Sequence, residues 1–181
     1  IRRRTKPTPT LGERVAWNAR QHRGETENPA GSNRVPQLQT QAKALGLAPF
    51  YQAMGWPWCA FFGFLMALQS GSKAADSGLR KGRFNALYTP EILTVAQASR
   101  HGLTLVGASE TRAGDLALIN FPGGDPRVDH LEVVDGPVTN GSYPTTGGNT
   151  SSGAGGSQAN GGGVYPRTRD VSITRAFVRL T

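Results

Sequence analysis

The sequence predicts an α+β fold in which helices come first and an antiparallel sheet follows. Apolar residues recur at helical spacing across residues 11–22, and a continuous apolar run covers residues 56–68. Beyond Gly107 the pattern changes to short apolar segments, of which residues 115–121 and 130–134 are the clearest strand candidates. Helical patterns followed by strand patterns favour α+β over an alternating α/β arrangement.

Each predicted helix ends at a helix-breaking residue or turn. Gly24 closes the first helix, and a polar segment containing Pro29 and Gly31 separates it from the second. The apolar run has the length of a buried helix and stops at Ser70 and Gly71. The expected helical regions are residues 11–22, 35–46, 56–68 and 90–100.

The sheet is expected to be small and antiparallel, because Pro-Gly turns close its first two strands. Three further segments have the composition of strands, namely residues 143–146, 163–167 and 171–178. Between them, residues 147–163 are so rich in Gly, Ser and Asn that no regular structure is predicted there.

The chain has 181 residues, the size of one domain with a sizeable core. Residues 1–10 combine Arg2, Arg3, Arg4 and Lys6 with two prolines, which predicts a basic arm. Residues 11–181 are expected to form a single catalytic domain. No apolar run approaches the roughly 20 residues that a membrane span needs, so no membrane partner is expected.

The net charge of +8, from 20 basic and 12 acidic side chains, favours a polyanionic partner. The arginines are scattered from Arg2 to Arg179 without a nucleic-acid-binding motif, so nucleic acid is not the expected partner. The chain contains one cysteine and three histidines, which excludes an internal disulfide and offers no zinc-site spacing. No metal and no cofactor are predicted.

The single cysteine, Cys59, follows a Gly-Trp-Pro turn at the start of the apolar run. A proline is tolerated only near a helix start, so Pro57 places Cys59 in the first helical turn. Unpaired N–H groups and the helix dipole favour a thiolate at that position, which is the form that attacks a carbonyl. The alternative interpretation is a small buried hydrophobic residue.

A nucleophilic cysteine needs a base, and His130 is the best placed of the three histidines. It begins an apolar strand directly after the loop of residues 122–126, whereas His22 and His101 lie at helix-terminal positions. A purely structural histidine is the alternative. An acceptor must then orient the imidazole, and Asn149 is the first candidate. Glu132 is the second, since alternate residues of a strand share one face.

Other residues around the predicted nucleophile have weaker assignments. Asp129 and Asp135 are weaker alternatives for the group that orients the imidazole, and both are interpreted as turn residues. The backbone N–H of Cys59 could stabilise an oxyanion. Trp56 and Trp58 flank the nucleophile and could stack against a sugar or peptide, although core packing is the alternative for large aromatic residues beside a turn.

In their order along the chain, these elements resemble the CHAP peptidases and amidases of phage endolysins and bacterial cell-wall hydrolases, which share a papain-like architecture. The resemblance spans most of the chain and depends on a nucleophile helix start, a Gly-Asp strand entry, a His strand and a final Asn loop with its closing strand. These are residues 55–62, 113–116, 128–134, 148–150 and 162–169.

The resemblance also marks an active-site rim and two departures from the family pattern. Residues Glu25, Pro29, Ser32 and Asn33 resemble a segment that precedes the nucleophile in some phage members, and Ser32 and Asn33 are taken from it as substrate-binding candidates. Many members carry Glu where this chain has Gly147, and Gly where it has Glu132. The identity of the third catalytic residue therefore stays open between Asn149 and Glu132.

The resemblance implies a peptidoglycan hydrolase, in particular a phage lysin that cleaves an amide in wall peptides by a Cys-His-Asn thiol mechanism. The implied partners are peptidoglycan and anionic wall polymers, and the implied state is a monomer. Such a protein would be made in the host cytoplasm without a visible signal peptide and would act at the cell wall. The alternatives are an N-acetylmuramoyl-L-alanine amidase, a non-catalytic wall-binding module, and a basic nucleic-acid binder.

Overall fold

The computed structural model describes residues 7–123, 128–153 and 155–181, which contain six α-helices and six β-strands. The helices are α1 (Leu11–Gln21), α2 (Pro36–Ala44), α3 (Pro49–Ala53), α4 (Cys59–Gln69), α5 (Lys73–Ala75) and α6 (Thr89–Gln97). The strands are β1 (Leu103–Val106), β2 (Leu116–Ile119), β3 (His130–Val134), β4 (Ser142–Thr150), β5 (Gly163–Asp170) and β6 (Thr174–Leu180).

The six strands form one sheet in the order β1-β6-β2-β3-β4-β5, and every neighbouring pair is antiparallel. Helices precede this sheet in the chain, so the predicted α+β class is confirmed. The segment before α2 also joins the far edge of the sheet, because Thr26 bridges to Gly163 at the start of β5. Residues from the N-terminal half thus lie beside the C-terminal strands.

Helix α4 occupies the centre of the core, and all of its residues from Cys59 to Leu68 are buried. A helix that is apolar on every face is stable only when it is surrounded, and α4 packs between α1 and strands β3 and β4. A Cβ atom at Gly63 would lie 2.6 Å from Cδ2 of Leu131. Glycine at this position therefore lets α4 approach β3 closely enough to bring their first residues together.

The structure differs from the sequence prediction mainly in the sheet. Strand β1 was not predicted, because its four residues are too few to show a strand pattern. Residues 147–150, predicted to be irregular, belong to β4, where pairing with β3 and β5 supplies backbone hydrogen bonds that composition does not reveal. Residues 171–173 form a 3₁₀ turn, so the last strand begins at Thr174.

Two of the predicted segments lie wholly or partly outside the described residues, and a further prediction concerns membrane-spanning helices. The basic residues of the predicted arm lie in residues 1–6, outside the described residues, and the division at residue 10 stays a prediction. The loop preceding His130 is described only up to Gly123, because residues 124–127 also lie outside. No helix within the described residues is both long and apolar enough to cross a membrane.

Candidate active site

Cys59 is the first residue of α4, as the position of Pro57 predicts. The preceding residue, Trp58, makes no side-chain capping bond. The first backbone bond of the helix runs from the N–H of Phe62 to the carbonyl of Trp58, at 2.9 Å. The N–H groups of Cys59 and Ala60 precede that bond and have no acceptor within the helix. They therefore favour negative charge at the start of α4.

His130 is the first residue of β3, is fully buried, and lies against the Cys59 thiol. Its Nε2 donates to Oε1 of Glu132 at 3.2 Å. Its Nδ1 makes no hydrogen bond to a nitrogen or oxygen atom of the described residues, which leaves this nitrogen to the sulfur. The imidazole thus lies between a thiol and a carboxylate.

The contact between Cys59 and His130 favours an ion pair. Burial alone would raise the pKa of the Cys59 thiol, but the charge and hydrogen bond of His130, with the backbone N–H groups of Leu131 and Ala60, lower it. Burial likewise opposes a charged imidazole, yet Cys59 and Glu132 together raise the pKa of His130 to about 9. The thiolate form of Cys59 and the imidazolium form of His130 therefore stabilise each other.

Glu132 is fully buried and accepts hydrogen bonds on both carboxylate oxygens. Arg169 donates from Nε to Oε2 at 2.9 Å and from Nη2 to Oε1, and Thr145 donates to Oε2 at 2.5 Å. Burial opposes the charge of the carboxylate, but the hydrogen bonds from His130 and Arg169 lower the pKa of Glu132 to about 2. Glu132 is therefore an ionised acceptor fixed against Nε2 of His130.

Asn149 is as fully buried as Glu132 but makes no hydrogen bond to His130. Within the described residues, neither Oδ1 nor Nδ2 of its amide has a partner. The backbone of Asn149 is left-handed, with φ 59°, and the pairing of β4 with β5 is irregular between Gly147 and Thr150. The structure shows no bond between the Asn149 amide and His130, and a role of Asn149 in orienting the imidazole stays a prediction.

The two departures from the family pattern face each other in the sheet. Glu132 on β3 is the register partner of Gly147 on β4. A Cβ atom at Gly147 would lie 2.5 Å from Oε1 of Glu132, so only glycine leaves room for the carboxylate. The Glu132 carboxylate therefore occupies the space beside Gly147 between β3 and β4.

The two tryptophans beside Cys59 have different environments. Trp58 is fully buried, and its Nε1 donates to Oε1 of Glu27 at 2.9 Å. Its predicted contact with substrate does not fit this burial, because the side chain has no accessible surface. Trp56 is partly exposed and stacks on Phe50, with ring centroids 5.4 Å apart. Trp56 can therefore form part of a rim, whereas Trp58 belongs to the core.

The predicted rim segment lies beside the turn that leads into α4. The N–H of Gly55 donates to the carbonyl of Asn33 at 3.0 Å. Asn33 also lines a cavity of about 140 Å³, shared with Glu27 and with residues 160–162. Ser32 is partly exposed, and its hydroxyl accepts a bond from the N–H of Arg34 at 3.3 Å.

Other features of the described chain lie apart from this cluster. His22 pairs with Glu25 at 2.8 Å, and His101 stacks on Phe84. A cleft of about 980 Å³ is lined by residues at the start of α1 and the end of α4, and none of the predicted site residues borders it. The described residues contain no group of three or more His, Cys, Asp or Glu side chains able to hold a metal ion.

Sequence reasoning missed Arg169 and Thr145, both of which bind Glu132. Arg169 lies on β5, in the segment 162–169 that was interpreted only as a closing strand, and Thr145 lies on β4. Only the strand order brings them to β3. The one available signal was that an ionised glutamate in an apolar strand requires a buried cationic partner.

Comparisons with known proteins give a distant likeness to solved structures. No protein-family model matches the sequence, and no curated protein matches it. A solved structure that is similar to the chain is the crystal structure of a wild-type endolysin, LysIME-EF1. The match covers 95% of this chain and 64% of that chain, with 11% sequence identity and a TM-score of 0.47. At that level of similarity the match does not assign a family or a function.

Proposed function

We propose that this chain is a cysteine hydrolase that cleaves an amide bond in the peptide part of bacterial peptidoglycan. The observation that carries the proposal is the buried contact between Cys59 at a helix start and His130, whose other nitrogen is held by Glu132. A nucleophile, a base and an orienting acceptor in this order are the parts that acyl transfer through a thiol requires.

In the proposed mechanism the Cys59 thiolate attacks the amide carbonyl carbon, and a tetrahedral oxyanion forms. The N–H groups at the start of α4 stabilise the oxyanion. His130 then gives its proton to the leaving amine as the C–N bond breaks and a thioester forms. Water then loses a proton to the neutral imidazole and attacks the thioester carbonyl, the C–S bond breaks, and a carboxylic acid is released with restoration of the thiolate–imidazolium pair. Glu132 keeps Nδ1 of the imidazole directed at sulfur throughout.

The substrate class follows from the sequence resemblance, and two properties of the chain support it. The net charge of +8 attracts an anionic wall polymer through a force that salt screens. Cys59 is 7% exposed and His130 is fully buried. A slender peptide can bring a carbonyl to such a thiol more easily than a bulky glycan can. The proposed place of action is accordingly the cell wall.

The bond specificity has two candidates, an endopeptidase within the stem peptide and an N-acetylmuramoyl-L-alanine amidase. We favour the endopeptidase because of the narrow access to Cys59. Mass spectrometry of digested peptidoglycan distinguishes them: an endopeptidase leaves peptide on the muramic acid, whereas an amidase releases the whole stem.

The decisive experiment measures the turbidity of a suspension of purified peptidoglycan treated with the wild type, Cys59→Ala and His130→Ala. His101→Asn is the matched control, because His101 lies outside the cluster and asparagine tolerates its left-handed backbone. Circular dichroism verifies that all four proteins are folded. We expect clearing by the wild type and the control only, since both other variants lack a part needed for acyl transfer.

Two results would count against the proposal. Equal clearing by all four proteins would show that lysis does not depend on Cys59. Binding to peptidoglycan without clearing by any of them, across several wall types, would favour a non-catalytic wall-binding module.

A further inference from the structure

Arg169 on β5 is 6% exposed and holds Glu132 through two parallel N–H donors. Its remaining nitrogen, Nη1, donates to Oε1 of Gln158 at 3.1 Å, and its guanidinium lies 5.0 Å from the centroid of the Phe121 ring. Phe121 in turn contacts the ring of His130, with centroids 5.6 Å apart. Arg169 is thus part of the packing around the candidate catalytic residues, through its contacts with Glu132 and Phe121.

Four ionisable side chains are consequently buried in one row with alternating charge. In the ion-pair form of Cys59 and His130, the thiolate is negative, the imidazolium positive, the Glu132 carboxylate negative and the Arg169 guanidinium positive. A buried row whose charges sum to zero avoids the large free-energy cost of an unpaired buried charge.

Without Arg169 the row would carry one net negative charge when Cys59 is ionised. Protonating the thiol would remove that charge and leave a neutral imidazolium–carboxylate pair. A carboxylate beside the imidazole therefore orients it well but also disfavours the thiolate. A neutral amide, the orienting group expected from the sequence resemblance, does not have this effect.

We propose that Arg169 is a positioning residue that neutralises Glu132, so that the Glu132–Arg169 pair does the work of a neutral amide and permits a thiolate at Cys59. The proposal rests on the proposed function in taking Cys59 as the nucleophile. The planar fork of arginine suits this task, because it fixes both carboxylate oxygens at once.

Other charged groups on the surrounding elements are already engaged. Arg20 and Arg23 on and after α1 pair with Asp135 beyond β3. His22 pairs with Glu25, and the carboxylate of Glu27 accepts from the indole of Trp58. Among the described residues, Arg169 is the cation that contacts Glu132 from outside the candidate catalytic residues.

The test measures the rate at which iodoacetamide alkylates Cys59 as a function of pH, which gives the thiol pKa without any peptidoglycan. The proteins are the wild type, Arg169→Met, Glu132→Gln, the double variant Glu132→Gln/Arg169→Met, and Arg169→Lys, each verified by circular dichroism. We expect the thiol pKa to rise by about 1 to 2 in Arg169→Met, the size of one uncompensated charge at an effective dielectric constant of roughly 20.

The double variant decides between an electrostatic and a structural role. With an amide at position 132 and no cation at position 169, the thiol pKa should return to within about 0.5 of the wild-type value, which corresponds to a change of at most about threefold in the thiolate fraction. Arg169→Lys should also keep the wild-type thiol pKa, since it keeps the charge. A role in packing alone predicts instead that the double variant is at least as perturbed as Arg169→Met.

An unchanged thiol pKa in Arg169→Met, or no recovery in the double variant, would overturn the proposal. Should Arg169→Met not fold, a wild-type thiol pKa in both the double variant and Arg169→Lys supports it, and a raised value in either rejects it. These results are separate from the question of substrate, because a lowered thiol pKa without peptidoglycan cleavage would refute the proposed function and leave the role of Arg169 intact.

Discussion

Glu132 and Asn149 lie on the neighbouring strands β3 and β4, and both side chains are fully buried. Every oxygen of the Glu132 carboxylate accepts hydrogen bonds, whereas the described chain offers no partner to the Asn149 amide. The comparison shows that burial of a polar side chain does not identify a role in the site. The bonding partners are more informative, and in this structure the imidazole of His130 contacts Glu132 and not Asn149.

The largest expected effect comes from removing the Glu132 side chain, and removal of the Asn149 side chain is the comparison. Glu132→Ala should lower peptidoglycan cleavage by about 10² to 10⁴-fold, because His130 loses its orienting acceptor. It should also lower the free energy of unfolding by roughly 3–5 kcal/mol, since Arg169 is left buried and unpaired. Asn149→Gly, which suits the left-handed backbone, should keep activity within about threefold. Rates and urea unfolding measured on both variants test this.

The opposite result, in which Asn149→Gly abolishes cleavage and Glu132→Gln retains it, would contradict the importance expected for Glu132. Glu132→Gln is included because it preserves the shape of the side chain where Glu132→Ala proves unstable. In that event the amide, rather than the carboxylate, would be the group that orients His130 during the reaction.

The pairing of Glu132 on β3 with Gly147 on β4 provides the next test. Gly147→Glu alone should fail to fold stably, because its Cβ atom would lie 2.5 Å from Oε1 of Glu132. Combining it with Glu132→Gly removes that clash and returns a carboxylate to the region from β4. We expect the double variant to cleave peptidoglycan at least about tenfold faster than Glu132→Gly alone. Equal rates would mean that the carboxylate acts only from β3.

The charge of Glu132 should also appear in the acid stability of the protein. Its pKa is about 2 in the folded protein, against 4.5 for an unperturbed glutamate. The contribution of the ionised carboxylate to the free energy of unfolding is therefore complete above pH 4.5 and is lost as the pH falls towards 2. The loss is on the order of 3 kcal/mol. Urea unfolding between pH 7 and pH 3 should show a steeper decline for the wild type than for Glu132→Gln, and parallel curves would contradict this.

The sequence predicted well those features that depend on neighbours along the chain. Pro57 and the apolar run placed Cys59 at a helix start, and the strand at His130 has the predicted bounds. The α+β order of elements could be read in the same way. Each of these signals is local, because helix and strand periodicity and turn chemistry act within a few residues.

The features that the sequence did not give depend on strand order and register. Arg169 reaches Glu132 across 37 positions of the chain. The pairing of Glu132 with Gly147 likewise depends on how β3 and β4 align. The left-handed backbone at Asn149, which breaks the alternation of β4, has no signature beyond the tolerance of asparagine for that conformation. Single-sequence patterns do not contain such information.

The smallest expected effect is that of the hydroxyl group that donates to Glu132 from β4. Thr145→Val keeps the shape of the side chain but removes the donor to Oε2, which lies 2.5 Å away. Arg169 and His130 still hold the carboxylate, so we expect cleavage to fall about two- to tenfold and stability by about 1–2 kcal/mol. Thr146→Val, whose hydroxyl donates to Asp135 instead, is the matched control for loss of a buried hydroxyl. If both variants lost the same activity, the effect would come from β4 packing and not from the carboxylate that orients His130.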